Sequence, residues 1–186
     1  MKKSLIRKKI LKIRKKKFNQ NVSINFNIVK KILKKQGRGK KIIGGYYPYN
    51  NELDCIEILE NFEKKNYKIS LPKIKKNFLM NFYDWKSNEP LIINKFGIPE
   101  PSSDKIIYPD ILLVPLVAFD KHLNRIGYGG GFYDRYIKKI KRKKKIFLIG
   151  LAYSFQEIKK ISTNKYDMKL DLIITENKIL KWESYF

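Results

Sequence analysis

Cysteine and histidine are nearly missing from this sequence of 186 residues, which contains only Cys55 and His122. A single cysteine cannot form a disulfide framework or a cysteine metal site within the chain. The lone histidine lies in the turn sequence D-K-H-L-N, and no serine or cysteine nucleophile stands beside it. The sequence therefore gives little support to a disulfide-stabilised protein or to a histidine-based catalytic triad.

Long hydrophobic runs are also lacking, and none approaches the roughly 20 residues that a membrane-spanning helix needs. The first residues carry charge but no apolar segment of the kind found in secretory signals. We therefore expect a cytoplasmic protein that has no membrane partner.

Acidic residues are scarce, with 17 Asp and Glu against 42 Lys and Arg, which gives a formal net charge of +25. Such a charge attracts polyanions, so one hypothesis is a basic nucleic-acid-binding protein without enzymatic activity. Lysine nevertheless dominates and is scattered along the whole chain. We favour the interpretation that lysines fill permissive surface positions, and we expect no specific nucleic-acid partner.

The hydrophobic fraction of 43% and the aromatic fraction of 13% are ample for a globular core. The length fits a single domain that spans residues 1–186. Residues 2–17 are predicted to form a basic helix, because Ile6, Ile10 and Ile13 recur at helical spacing. We expect this helix to pack on the domain, with its lysines in solvent.

Short apolar strands alternate with helices after a second predicted helix at 23–36, which ends at the turn 37–39. Strands are predicted at 41–47, 67–71, 77–83, 110–115, 145–151 and 171–175, and helices at 52–65 and about 131–141. We expect Asn50 or Asn51 to cap the third helix, Pro72 to stop the second strand, and residues 86–109 to be irregular. The alternation predicts a layered α/β fold with a mostly parallel sheet, whose ligands gather at the carboxyl ends of the strands.

The sequence between the fourth strand and the last helix is unusually rich in glycine, with four glycines within 127–131. Glycine permits positive φ and exposes backbone N–H groups, and a loop that leads into a helix N-terminus is suited to phosphate. No Lys-Ser or Lys-Thr follows the glycines, and Phe132 stands where a dinucleotide-binding loop has its last glycine. The pattern predicts an anion site, and it leaves the ligand open.

Polar residues near the other strand ends are further candidates. Glu52 follows the first strand, and Asp167 precedes the last. Lys73 could clamp a phosphate or carboxylate, or it could be one more solvated lysine. Asp134 could be favoured only by the helix dipole, or it could hold Mg²⁺.

The strongest pattern is the string at 114–136, V-P-L-V-A-F-D-K-H-L-N-R-I-G-Y-G-G-G-F-Y-D-R-Y. It resembles the motif of the 5-formyltetrahydrofolate cyclo-ligase family, also called 5,10-methenyltetrahydrofolate synthetase. Other segments match in the family's order: K-S-L-I-R at 3–7, N-E-L-D at 51–54, P-K at 72–73, G-I-P-E-P at 97–101 and D-M-K-L-D at 167–171. The resemblance covers essentially the whole chain.

This resemblance implies an ATP- and Mg²⁺-dependent enzyme that converts 5-formyltetrahydrofolate to 5,10-methenyltetrahydrofolate with release of ADP and phosphate. The implied fold is a single three-layer α/β domain, doubly wound like nucleotide-binding folds, and we expect it to act as a monomer. A different small α/β enzyme of phosphorylated metabolites is a further hypothesis that uses the same loop.

The resemblance also implies site residues. The ATP contacts are Lys3, Ser4, Leu5, Ile6 and Arg7, together with Arg125, Ile126, Gly127, Tyr128, Gly129, Gly130, Gly131, Phe132 and Tyr133. The folate contacts are Tyr47, Glu52, Phe96 and the loop Tyr128, Gly129, Gly130, Gly131 and Phe132. Mg²⁺ is assigned to Asp134 and Asp167, and the catalytic roles to Arg125, Lys73 and Glu52. Some members have Arg and Lys where this chain has Tyr128 and Gly130, so the phosphate charge must be met elsewhere, by Arg125, the N-terminal helix, Lys73 and backbone amides.

Overall fold

The computed structural model describes residues 2–19, 21–35, 37, 41–76 and 79–181. The helices are α1 (Lys3–Lys17), α2 (Phe26–Lys35), α3 (Ile56–Glu63) and α4 (Phe132–Lys141), with a 3-10 turn at Ser154–Gln156. The strands are β1 (Ile42–Gly44), β2 (Lys68–Ile74), β3 (Met80–Trp85), β4 (Leu91–Ile93), β5 (Pro99–Pro101), β6 (Ile111–Pro115), β7 (Ala118–Phe119), β8 (Arg125–Ile126), β9 (Phe147–Leu151), β10 (Leu172–Ile174) and β11 (Ile179–Lys181). Of the residues described, none belongs to a helix that is both long and apolar enough to cross a membrane.

One sheet of seven strands, in the order β11-β10-β9-β6-β1-β2-β3, forms the centre of the structure. β1, β2, β6, β9 and β10 are mutually parallel, whereas the edge strands β3 and β11 are antiparallel to their neighbours. The parallel strands, numbered in chain order, lie in the order 2-1-3-4-5 of a doubly wound fold, with the switch point between β1 and β6. The prediction of an α/β fold with a mostly parallel sheet is confirmed.

Both faces of the sheet are covered, which explains why β6, β9 and β10 are apolar at every position. Ile111 and Leu113 point to the face covered by α2 and α3, and Leu112 and Val114 point to the face covered by α4. The short hairpin β7–β8 lies outside the sheet, and α1 packs on it through Ile6 and Ile10.

Pro72 does not stop β2 as predicted, since this strand continues to Ile74. Ser70 directs its backbone towards β1, where its carbonyl accepts a hydrogen bond from Gly45 N at 2.9 Å. Pro72 faces the same side two residues later, beyond the last pairing with β1. The missing N–H of the proline therefore costs no ladder bond at this position.

Two other local predictions were wrong. Residues 86–109 are not wholly irregular, because they contain the hairpin β4–β5. Neither Asn50 nor Asn51 caps α3, because both take a left-handed turn at φ 49° and 59°. The helix begins four residues later than expected, and Asp54 Oδ1 accepts the N–H of Ile56 at 2.7 Å. Residues 38–39 of the predicted turn, residue 36 of the predicted second helix and residues 77–78 of the predicted third strand lie outside the described residues.

Candidate active site

A cavity of about 800 Å³ opens at the carboxyl ends of β1, β2 and β6, beside the switch point of the sheet. This volume lies within the range of small-molecule sites. Its walls include α1, the glycine loop and the tip of the hairpin β4–β5. The predicted site residues that line it are Lys3, Arg7, Tyr47, Glu52, Phe96, Arg125, Ile126, Gly127, Tyr128, Gly129, Gly130, Gly131, Phe132, Tyr133, Asp134 and Asp167.

Four predicted site residues do not line this cavity. Ser4 and Leu5 lie on the exposed side of α1, and Ile6 is buried against the hairpin β7–β8. Lys73 alternates with Pro72 and Ile74 along β2, so its side chain lies on the other face of the strand. There its Nζ contacts Asp104 Oδ1 at 3.2 Å. The roles assigned to these four residues stay predictions.

The glycine loop is held by α1. The Arg7 Nε donates a hydrogen bond of 2.8 Å to the Gly127 carbonyl. Gly129 has a φ of 104°, and a Cβ there would lie 3.3 Å from the Arg7 Cζ. Gly131, at φ 66°, leads directly into α4. The loop thus combines backbone N–H groups, a helix N-terminus and a guanidinium, which together favour an anion.

Two carboxylates lie next to this loop. Asp134 Oδ1 accepts hydrogen bonds from Arg125 Nη2 at 2.8 Å and from Met168 N at 3.1 Å. Asp167 Oδ2 contacts Lys3 Nζ and accepts the N–H of Asn164 at 2.7 Å. Burial lowers the pKa of Arg125, whereas the nearby Asp134 raises it. The ion pair therefore stabilises a guanidinium that is almost fully out of water.

The arrangement of these carboxylates suits a magnesium ion bound to nucleotide phosphates. Within the described residues, the hydrogen bonds to Asp134 fall on Oδ1 and those to Asp167 on Oδ2, so each carboxylate has a second oxygen for a ligand. No group of three or more His, Cys, Asp and Glu that could hold a metal occurs in the described part of the chain. Mg²⁺ needs none, because it usually keeps waters and takes one or two carboxylates plus phosphate oxygens.

Glu52 also lines the cavity and is only 6% exposed. Its Oε2 accepts the N–H of Tyr49 at 2.9 Å, while Oε1 has no hydrogen-bond partner among the described residues. Burial raises the pKa of Glu52 to about 7; the Tyr49 N–H, the charge of Arg14 and the Tyr128 hydroxyl oppose this. An acceptor of this kind is suited to a ligand that brings its own N–H groups.

This burial predicts a pH-dependent stability. The folded state holds the Glu52 proton more tightly than the unfolded chain, whose glutamate titrates near 4.5. The resulting stabilisation is fully present below about pH 4.5 and is lost as the pH rises through about 7. Between about pH 5 and about pH 8 we expect the wild-type free energy of unfolding to fall more than that of Glu52→Gln, by on the order of 3 kcal/mol. Urea titrations of both proteins test this, and parallel curves would contradict it.

Sequence reasoning missed Arg14, which is only 1% exposed. Its Nη1 donates to the Leu116 carbonyl at 3.3 Å, and its Nη2 donates to the Tyr128 hydroxyl. The spacing of Arg14 from Ile10 places it on the buried stripe of α1, which could have identified it. The apolar pattern drew attention to Ile13 instead, which is only partly buried.

Phe96 lies at the tip of the hairpin β4–β5 and is 46% exposed at the cavity edge. The hairpin is fastened by Glu100, whose Oε1 accepts hydrogen bonds of 2.7 Å from Ile74 N and from Asn94 Nδ2. An exposed ring on an anchored hairpin is placed to stack on a flat heterocycle. The prediction that this segment is irregular did not include the hydrogen bonds by which Glu100 holds the hairpin.

Comparisons with known proteins point to one family. The sequence profile of the 5-formyltetrahydrofolate cyclo-ligase family matches residues 1–176. A 5-formyltetrahydrofolate cyclo-ligase of Haemophilus influenzae is 34% identical over 146 residues, covering 74% of this chain and 77% of that protein. The solved 5,10-methenyltetrahydrofolate synthetase of Aquifex aeolicus superposes with a TM-score of 0.77 at 29% identity, covering 99% of this chain and 94% of that one. The corresponding synthetase of Mycoplasma pneumoniae gives a TM-score of 0.72 at 27% identity, covering 95% and 99%.

Proposed function

Because the chain belongs to the 5-formyltetrahydrofolate cyclo-ligase family, we propose that it closes 5-formyltetrahydrofolate to 5,10-methenyltetrahydrofolate and consumes ATP in doing so. ADP and phosphate are the other products. The observation that carries this proposal is one cavity lined by two chemically distinct sets of groups. Carboxylates and cations suited to Mg·ATP lie beside the glycine loop, and the buried acceptor Glu52 lines the same cavity.

The proposed chemistry solves a specific problem of the substrate. A formyl group on nitrogen is amide-like, so its carbon is a poor electrophile and its oxygen a poor leaving group. The formyl oxygen attacks the γ-phosphorus of ATP, the bond from that phosphorus to the β–γ bridging oxygen breaks, and ADP leaves. N10 of the substrate then attacks the formyl carbon, the bond between this carbon and the phosphorylated oxygen breaks, and N10 loses its proton. Phosphate departs and the methenyl ring remains.

The enzyme's task in this reaction is positioning and charge stabilisation, and no protein nucleophile is needed. Arg7 and the loop N–H groups bind the phosphate oxygens, and Lys3 and Arg125 supply positive charge while they orient Asp167 and Asp134. Mg²⁺ held by Asp134 and Asp167 would neutralise charge on the β- and γ-phosphate oxygens.

The folate is proposed to bind through Glu52, Tyr47 and the Tyr128–Phe132 segment. Glu52 Oε1, which has no hydrogen-bond partner in the described part of the chain, accepts N–H groups of the pterin, and these offset the cost of its burial. Phe96 offers a ring for stacking at the open edge of the cavity. These contacts fix the formyl oxygen relative to the γ-phosphate, since the glycine loop borders both ligands.

A direct assay tests the proposed reaction. Purified protein, Mg·ATP and 5-formyltetrahydrofolate are mixed, and the near-UV absorbance of the methenyl product is followed with and without ATP. The expected result is product formation that requires both ATP and Mg²⁺. Folded protein that forms no product would contradict the proposal and leave the basic nucleic-acid-binding alternative open; retention of RNA alone would not distinguish them, given the charge of the chain.

Arg125 is expected to matter for turnover more than for folding. Arg125→Ala removes the cation that orients Asp134, so we expect kcat to fall by about 100-fold, the size typical of losing one charge-stabilising donor. Steady-state kinetics and a thermal melt measure both effects. Lys105→Ala, which removes the exposed cation of the Asp84 ion pair, is the matched control and should keep normal kcat. An Arg125→Ala protein that is folded and turns over normally would remove Arg125 from the mechanism.

A further inference from the structure

We propose that Arg14 is a positioning residue for the folate end of the cavity: it holds the Tyr128 hydroxyl in place and sets the charge environment of Glu52. This inference rests on the proposed cyclo-ligase function. It assigns a role to a residue in the last turn of α1 that lies outside the K-S-L-I-R segment and does not itself line the cavity.

The burial of Arg14 is the first observation. Its side chain is almost completely buried, yet within the described residues it forms no ion pair with a carboxylate, and its Nε has no hydrogen-bond partner. Removing a guanidinium from water without a direct counter-ion is costly. A stabilising role alone does not explain this placement, because an aliphatic side chain would fill the same position at lower cost.

The contacts of Arg14 lead to the folate end. Its Nη2 donates to the Tyr128 hydroxyl, and that hydroxyl donates to the Tyr49 carbonyl at 3.1 Å. The Tyr49 N–H in turn donates to Glu52 Oε2, and the rings of Tyr49 and Tyr128 lie 5.8 Å apart. Arg14 therefore fixes two aromatic residues of the cavity wall and, through Tyr49, the carboxylate between them.

The geometry of α1 explains how one helix reaches both ends of the cavity. Lys3, Arg7 and Arg14 project from the same face, where they contact Asp167, the Gly127 carbonyl and the Tyr128 hydroxyl. Lys3 and Arg14 are eleven residues apart, which is about 16 Å along a helix. The first two cations thus serve the phosphate end, and the third lies at the folate end.

The charge of Arg14 also acts on Glu52 directly. The titratable groups coupled to Glu52 are Arg14, Tyr46, Cys55, Tyr128 and Tyr133. Arg14 is the cation among them, and its charge lowers the pKa of Glu52 against the effect of burial. Loss of Arg14 therefore leaves more of Glu52 protonated near neutral pH, where a neutral carboxyl is a weaker acceptor for pterin N–H groups.

The test measures KM for each of the two substrates separately. For Arg14→Met we expect KM for 5-formyltetrahydrofolate to rise by about 10-fold or more, the loss typical of a charge-assisted contact, while KM for ATP changes by less than about twofold. The limb of the pH profile of kcat/KM for folate that reports Glu52 should move to higher pH. Arg14→Lys should restore part of the affinity because it keeps the charge. Lys15→Met, which removes the neighbouring exposed cation of α1, is the matched control and should resemble wild type.

A double-mutant cycle tests the path through Tyr128. Tyr128→Phe should raise KM for folate, and the Arg14→Met, Tyr128→Phe double variant should be no worse than the more affected single variant, because both changes break one chain of contacts. If Arg14→Met does not fold, Arg14→Lys and Tyr128→Phe carry the same cycle. Equal rises in both KM values, strictly additive effects, or a lower melting temperature without a change in KM for folate would overturn the role of Arg14. Wild-type protein that forms no product would instead overturn the proposed function itself.

Discussion

Replacing Asp134 by asparagine is expected to lower kcat by about 100-fold or more while the protein stays folded. Two effects add in this variant. An amide is a weak ligand for Mg²⁺, so the phosphates lose charge neutralisation. The guanidinium of Arg125 also loses its counter-ion, although the asparagine oxygen can still accept the N–H groups of Arg125 and Met168. Steady-state kinetics at several Mg²⁺ concentrations should show both a lower kcat and a higher magnesium requirement.

Asp84 provides a closely matched control for this experiment. Its side chain is 25% exposed, against 24% for Asp134, and it also forms an ion pair, with Lys105 at 2.9 Å. It does not line the cavity. Asp84→Asn should therefore leave kcat and the magnesium requirement unchanged. If folded Asp134→Asn behaves in the same way as Asp84→Asn, Asp134 has no part in the phosphate end of the site.

Replacing Gly129 by valine is expected to abolish ATP binding measured by calorimetry. At a φ of 104° a β-branched side chain is strongly disfavoured, so the loop must change its conformation. A Cβ at this position would also lie 3.3 Å from Arg7 Cζ, so the valine methyl groups displace the guanidinium that holds the loop. The variant loses the arrangement of N–H groups and Arg7 together, without any loss of charge.

A valine at Gly97 is the control that separates the steric effect of Gly129→Val from its backbone strain. Gly97 also has a positive φ, at 75°, but no atom of the described residues lies within 4 Å of a Cβ built there. Gly97→Val should therefore be strained in the same way and still bind ATP. Normal ATP binding by folded Gly129→Val would show that the loop does not hold the phosphates. Loss of ATP binding in both variants would mean that strain alone explains the result.

The sequence predicted well those parts of the fold in which burial requires apolar residues. The strand at 110–115 is apolar at almost every position because both of its faces are covered, and the structure has β6 at Ile111–Pro115. The glycine loop was also predicted from the sequence, since the positive φ expected of its glycines occurs at Gly129 and Gly131. The pattern therefore predicted an anion site at this loop, and the family resemblance supplied the roles of its individual residues.

Features that depend on contacts between distant segments could not be predicted from the sequence. The family resemblance assigns Lys73 to the site, and the sequence places it just after the predicted end of a strand at Pro72. The strand in fact continues, and its alternation turns the lysine away from the cavity. The sequence does not single out Arg14 among the basic residues of the first helix, because nothing indicates that Tyr128, more than a hundred residues later, accepts a hydrogen bond from it.

In the proposed reaction, ATP and 5-formyltetrahydrofolate meet in this cavity and the γ-phosphoryl group is transferred to the formyl oxygen. The most direct measurement uses 5-formyltetrahydrofolate labelled with oxygen-18 in the formyl group and mass spectrometry of the phosphate released. We expect one labelled oxygen in each phosphate formed, in step with ADP and methenyl product. Unlabelled phosphate, with the label found in water, would contradict it.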